Sequence, residues 1–260
     1  MSICLNSYHP DCWLLCIQRL EVLFEYAQGR IMEIENWKKH IEDQKRFITL
    51  DFELANVRNF TINDDLTIDV HGDVRDIRRL VANEHLLYQF GRVEGDFDVH
   101  GLGLVTLERS PHYVGGNFNC SDNNIRAFTD GPKKVMGDFI SKNNDGIRYL
   151  AGCPDYVGGN FECSNNYLTN LEGAPSYVGG NMIFDNTDLL SLDGFKHMEG
   201  SLFISCCFDM TNDTLAYYAL THNIKVAVCD DFEDFQKVCA YKKLRAKLGT
   251  KTTVGSRGKI

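Results

Sequence analysis

One stretch recurs along this chain at a nearly fixed period, and it limits what the chain can fold into. The clearest copy is residues 157–177, which read VGGNFECSNNYLTNLEGAPSY. The copies span residues 93–113, 114–134, 135–156, 157–177 and 178–197, with lengths of 21, 21, 22, 21 and 20 residues, and a degenerate sixth begins at Met198. Such self-similarity is typical of a solenoid, in which each unit buries its apolar edge only by stacking on its neighbours.

Apolar or small residues fall at fixed offsets within the copies. Two of them are spaced by two residues, which predicts one face of a short strand. An Asn follows where the chain must turn, and its side chain can bond backbone groups that the strand no longer satisfies. The predicted inward positions are Phe118, Cys120, Ile125, Phe128, Phe161, Cys163, Leu168, Leu171, Met182, Phe184, Leu189 and Leu192, and the turn positions are Asn123, Asn144 and Asn166.

The pattern Phe161-x-Cys163-x-x-Asn166-x-Leu168-x-x-Leu171 resembles the strand-and-turn half of a leucine-rich repeat. More closely, the wording VGGNFxCSNNxLxxLxGxP is similar to the short leucine-rich-repeat proteins of tailed bacteriophages, and the likeness covers roughly residues 59–205. The resemblance implies an α+β repeat fold: a short leucine-rich-repeat solenoid with a parallel sheet on its concave side. It transfers no catalytic residue.

We therefore predict about six coils with helical caps at both ends. The expected regions are an N-terminal helical region (1–58), a strand pair and irregular opening coil (59–92), the solenoid (93–210), and a C-terminal α/β cap with a basic tail (211–260). Two N-terminal helices are expected, over residues 10–27 and 31–46 with Gly29 between them, because each carries an apolar stripe. We expect those stripes to pack on the first coils, with a partner-binding groove as the alternative.

Composition favours an ordinary globular protein, with 43% apolar and 24% charged residues. No apolar run approaches the roughly 20 residues of a membrane span, so we expect a soluble intracellular protein, in the host cytoplasm if phage-encoded, with a place in the virion as the alternative. The ten cysteines contain no C-x-x-C pair, and His9, Cys12 and Cys16 have no matching second pair for zinc. We expect no metal and no cofactor.

The most informative surface is the outward side of the strands, opposite the buried positions, because side chains alternate along a strand. Its first row (Asp96, Asn117, Asp138, Asn160, Asn181, Ser201) is nearly uniform and reads as a structural ladder. The middle row is more varied and carries apolar residues, which are typical of a protein-contact patch on an otherwise polar face. The candidate partner-binding residues are Asp98, His100, Asn119, Ile140, Lys142, Glu162, Ile183, Asp185 and Phe203. Burial of Phe203 under the terminal structure is the alternative for that residue.

The C-terminal end concentrates positive charge. Of the 27 Lys and Arg residues, eight lie in residues 236–260, which hold no Asp or Glu, so the remainder has 19 basic against 36 acidic residues. A solvated helix face with a loose tail is one interpretation, and phosphate contact is the other. The candidate nucleic-acid-binding residues are Lys242, Lys243, Arg245, Lys247, Lys251, Arg257 and Lys259.

Motifs for catalysis are lacking: the sequence has no phosphate-binding G-x-x-x-x-G-K-[ST], no H-E-x-x-H and no G-x-S-x-G. Our first hypothesis is a non-enzymatic module that binds a host or viral protein through the concave strand face. The alternatives are a nucleic-acid-associated regulatory factor acting through the basic C-terminus, and a structural component of a virion or its assembly.

Overall fold

The computed structural model describes the backbone of residues 10–207 and 210–254, and the side chains of residues 23–207 and 210–247. The chain forms two compact units, with the boundary after Thr49. Helix α1, Pro10–Leu54, forms the described part of the first unit and ends in the second. The prediction of two N-terminal helices was wrong, because α1 continues through Gly29. A glycine inside a helix costs only about 1 kcal/mol relative to alanine, and no capping signal reinforces it there.

The second unit is a parallel-strand β-solenoid, as predicted. It has about eight turns, slightly more than the six expected. Strands β1 (Phe60–Ile62) and β2 (Ile68–Val70) form the predicted antiparallel pair, and a 3-10 turn at Arg78–Leu80 precedes a second small hairpin of β3 (Val81–Ala82) and β4 (His85–Leu86).

Each regular coil then contributes one short strand to each of two sheets. Sheet 1 runs in the order β1-β2-β5-β7-β9-β11-β13, and sheet 2 in the order β6-β8-β10-β12-β14-β15-β16. The strands are β5 (Phe90–Val93), β6 (Phe97–Asp98), β7 (Tyr113–Val114), β8 (Phe118–Asn119), β9 (Lys134–Val135), β10 (Phe139–Ile140), β11 (Tyr156–Val157), β12 (Phe161–Glu162), β13 (Tyr177–Val178), β14 (Met182–Asp185), β15 (Leu202–Ser205) and β16 (Val226–Val228).

The core lies between the two sheets and the strandless third side of each coil. Every inward position predicted from the repeat is buried. The phenyl rings of Phe97, Phe118, Phe139 and Phe161 stack from coil to coil with centroids 5.3–5.7 Å apart. The period of the sequence is therefore the period of the core, and each coil completes the packing of the next.

The predicted role of the turn asparagines is confirmed. Asn144 Oδ1 accepts from the backbone N–H of Ile125, and Asn166 Oδ1 accepts from that of Asn144. Their amide groups donate to backbone carbonyls, including that of Cys120 for Asn144 and that of Ser141 for Asn166. This buried ladder satisfies backbone groups that lie beyond the reach of the short strands.

A C-terminal structure closes sheet 2. The N-cap Thr211 accepts from the N–H of Thr214 and starts helix α2, Asn212–Thr221. Strand β16 then joins β15, and helix α3, Phe232–Val254, packs on α2. Helix α3 continues past Gly249 to Val254.

Candidate protein-binding face

The middle row of sheet 2 is one continuous line of side chains. Parallel pairing aligns each residue with its neighbour on the next strand, without a register shift from β6 to β15. All six side chains are partly exposed. We call this row the strand face, and it consists of Asp98, Asn119, Ile140, Glu162, Ile183 and Phe203.

The strand face is polar at its first coils and apolar at its last. At the first coil Asp98 accepts from His100, with 2.7 Å between Oδ1 and Nδ1. At the other end Ile183 lies beside Phe203, and β16 adds Val228 next to Phe203, with 43% of Val228 exposed. The C-terminal structure thus adds one more strand, and one more residue, to the end of the row, and Phe203 stays partly exposed.

A charge pair crosses the middle of this face. Lys142 Nζ lies 2.7 Å from a Glu162 carboxylate oxygen, and Glu162 lies between Ile140 and Ile183 on adjacent strands. Further along, Ser205 donates to Asp185 at 2.6 Å. The face therefore combines apolar area with polar groups that are already paired, which suits a surface that must lose water when a partner docks.

The row of Asp and Asn beside the strand face is structural, as expected. Each side-chain oxygen accepts the backbone N–H one coil further on: Asp96 from Asn117, Asn117 from Asp138, and Asp138 from Asn160, at 2.6–2.7 Å. Asn160 and Asn181 continue the ladder. These side chains hydrogen-bond to the next coil, so the candidate site lies on the strand face and not on this row.

A third row, one further outward position along each strand, contains buried serines that are also structural. Ser121 Oγ accepts from the N–H of Lys142, and Ser164 Oγ accepts from that of Asp185, both at 3.1 Å, and both serines are buried. His100, Lys142 and Asp185 remain partly or fully exposed at the border of the strand face. The structure thus brings all nine predicted contact residues to one side of the solenoid.

The basic residues of the C-terminus do not share a helix face. Lys242, Lys243, Arg245 and Lys247 lie on α3, where an advance of about 100° per residue distributes them around the axis. Lys242 forms an ion pair with Asp213 at 2.9 Å. The side chain of Lys251, and all of Arg257 and Lys259, lie outside the described residues.

The acidic residues before α3 serve backbone groups. Asp231 Oδ1 accepts from the N–H of Asp234 and so caps the helix. Asp230 accepts from the N–H groups of Cys206 and Cys207, at 2.6 and 3.0 Å. Within the described residues, no group of three or more His, Cys, Asp or Glu side chains could hold a metal ion. His9 and the side chains of Cys12 and Cys16 are outside that part of the chain.

Sequence reasoning missed a second exposed row, on sheet 1. Arg92 lies over the ring of Tyr113 at 3.7 Å, and Lys134 lies over that of Tyr156 at 4.9 Å. Tyr156 and Tyr177 stack with centroids 5.0 Å apart. The recurring Tyr-Val dipeptide was the available signal. Because these cations and rings lie over one another from coil to coil, the row stabilises the stack of coils.

The cysteines inside the solenoid are inert thiols. Burial raises the pKa of Cys120 to about 12 and raises that of Cys163 well above its usual value. A thiol that stays protonated is a poor nucleophile and a poor metal ligand. These two residues therefore act as small apolar side chains in the core.

Comparisons of this chain with protein-family models, curated proteins and solved structures find no match. Among the residues that the structure describes, no helix is both long enough and apolar enough to cross a membrane.

Proposed function

We propose that this chain is a non-enzymatic protein-interaction module that binds its partner through the strand face. The observation that carries the proposal is the run of Ile183, Phe203 and Val228 on three adjacent strands, which are partly exposed on an otherwise polar sheet. Contiguous exposed apolar area with a polar surround is typical of protein-contact sites.

The geometry of the row supports a protein partner. Neighbouring strands lie about 4.8 Å apart, so the six side chains of the strand face extend over roughly five strand spacings. Such a row fits an extended segment or a helix laid across the strands, with an apolar contact at one end and the Lys142–Glu162 pair in the middle. This charge pair would favour correct orientation of the partner more than affinity.

The resemblance to short leucine-rich-repeat proteins of tailed bacteriophages supports a host or viral protein as the partner, met inside the host cell. A nucleic-acid partner has weaker support, because the described basic side chains of α3 are spread around the helix and Lys242 is paired with Asp213. Phosphate binding would fall steeply with salt, so a titration against duplex DNA at several salt concentrations separates the two functions.

Site-specific photo-cross-linking tests the proposed face directly. A cross-linking residue in place of Ile183 should give a discrete covalent adduct with a partner protein in cells that make this chain. The matched control has the same residue in place of Leu190, which is 53% exposed and lies outside both sheets. Adducts from position 190 alone, or the same adducts from both positions, would count against the strand face.

A further inference from the structure

Helix α1 carries an apolar repeat that the solenoid does not explain. From Trp13 onward, positions alternate in steps of four and three residues, and all but two are apolar. A sustained repeat of seven residues averages about 3.5 residues per step and is the pattern of a left-handed coiled coil, not of a straight helix on a globular surface. The positions are Trp13, Ile17, Leu20, Phe24, Ala27, Ile31, Ile34, Lys38, Ile41 and Lys45.

The described part of this stripe is in contact with water. Every side chain from Leu23 to His40 is exposed, including Phe24 at 64%, Ile31 at 54% and Ile34 at 52%. Most helices gain their stability from packing an apolar face, so a stripe of this length requires a partner helix.

Charged residues beside the apolar stripe of α1 indicate which helix can pair with it. With Ile31 at the first core position of a heptad (position a) and Ile34 at the second (position d), Arg30 takes position g and Glu35 takes position e. In a parallel, in-register pair, position g of one helix faces position e of the next heptad on the other. A second copy of α1 supplies both charges, and the two-fold symmetry of the dimer forms the Arg30–Glu35 contact twice.

We propose that α1 forms a parallel two-stranded coiled coil with α1 of a second copy of this chain, over residues 13–45. Lys38 and Lys45 at position a favour this register at a cost in stability, since a shifted register would place their ammonium groups against apolar layers of the seam. Each copy brings its own solenoid, so the dimer carries two strand faces, which would raise the avidity for a multivalent partner.

The mass of the full chain in solution tests the stoichiometry. Light scattering should give twice the 29.5 kDa of one chain. Ile31→Lys with Ile34→Lys should give the monomer, because it replaces two apolar layers of the seam by charges in addition to those of Lys38 and Lys45. The control is Tyr26→Lys with Met32→Lys, which makes the same charge change at exposed apolar residues outside the seam and should stay dimeric.

A charge swap tests the parallel register. Arg30→Glu alone and Glu35→Arg alone should each weaken dimerisation by about tenfold, because two attractive contacts become repulsive. The double variant should recover wild-type dimerisation, whereas an antiparallel pair, which brings g against g and e against e, would not. A wild-type monomer at the highest attainable concentration, or a seam variant that remains dimeric, would overturn the proposal, and a trimer would overturn its two-stranded form.

Discussion

The backbone N–H of Asn144 donates to Oδ1 of Asn166 on the next coil, with 3.0 Å between the two atoms, and both side chains are buried. The Asn166 amide in turn donates to the carbonyls of Ser141, Cys163 and Ser164. One side chain thus joins two coils and satisfies four backbone groups in a region without strands. Such groups are costly to leave unpaired away from water.

We expect Asn166→Ala to lower the free energy of unfolding by at least about 1–3 kcal/mol, because it leaves the Asn144 N–H and several carbonyls buried without a partner. Denaturant unfolding followed by circular dichroism would measure the loss. Asn124→Ala is the control, since Asn124 is exposed and, among the residues that the structure describes, its hydrogen bond is a backbone one, from its N–H to the Leu104 carbonyl. Equal losses in the two variants would show that the ladder does not hold the coils together.

Leu171 is fully buried at an inward offset of a central coil. We expect Leu171→Ala to cost about 2–5 kcal/mol through lost burial and the cavity it leaves. Leu190→Ala, at a leucine that is 53% exposed one coil later, should change stability by less than about 0.5 kcal/mol. A small effect at Leu171 would contradict the register of the core.

The core was predictable from the sequence because it repeats. Phe161, Cys163, Leu168 and Leu171 recur at the same offsets in neighbouring copies, so one inference was tested against several coils at once. The asparagine ladder followed from the same alignment. The nine candidate contact residues lie on one side of the solenoid, because alternation along β12 and its neighbours assigns the outward positions.

Sheet 1 was not predictable in the same way. Its strands in the regular coils, such as Tyr156–Val157, lead directly into the Gly-Gly corners, whereas the alternation that begins in β12 continues to the buried Cys163. Their pairing depends on the close approach of successive backbones at the Gly-Gly corners. A two-residue strand is defined by its neighbours rather than by its own residues.

The length of α1 was missed for a different reason. Gly29 was taken as a helix end, yet a Cβ added there would meet nothing within 4 Å, so the site is open helix surface and not a constrained turn. The apolar stripe continues across it without a change of phase, and that continuity was the stronger signal.

The Gly-Gly corners give a third prediction. A Cβ on Gly158 would lie 2.2 Å from the backbone carbonyl oxygen of Met136 on the previous coil. We therefore expect Gly158→Ala to destabilise the solenoid by about 1–3 kcal/mol, since a backbone atom cannot move aside as a side chain can. Gly72→Ala, where a Cβ would meet nothing within 4 Å, should be nearly neutral. Calorimetric melting of both variants would check the difference.

The buried thiols give a fourth prediction, which concerns pH. Burial raises the pKa of Cys120 from 9.0 to about 12, so the native state keeps the proton while the unfolded chain releases it. The stability from this group is fully present below pH 9 and is lost progressively as the pH rises towards 12. At pH 10 the loss should be about 1.4 kcal/mol.

Comparison of wild type with Cys120→Ala isolates this contribution from the titration of other groups. Free energies of unfolding at pH 8 and pH 10, measured under reducing conditions, should fall further for the wild type than for the variant. An identical fall in both proteins would mean that Cys120 titrates alike in the folded and unfolded states.

The strand face can be altered without touching the core. Ile140 and Ile183 are partly exposed and lie on either side of Glu162, so a lysine at either position would have a carboxylate beside it. We expect Ile140→Lys with Ile183→Lys to keep its stability within about 1 kcal/mol of the wild type. The matched control is Tyr149→Lys with Leu190→Lys, which replaces two exposed apolar residues outside the sheets by the same charges.

Quantitative affinity capture with these three proteins is the most direct test of the strand face as the binding site. Each protein is immobilised at equal density in extract of the cells that make the chain, and the retained proteins are measured by mass spectrometry. We predict a partner that wild type and the control retain equally and that the Ile140→Lys, Ile183→Lys protein loses by at least about tenfold, since a desolvated patch tolerates inserted charge badly. Equal recovery on all three proteins, or no protein retained by the wild type, would contradict the account.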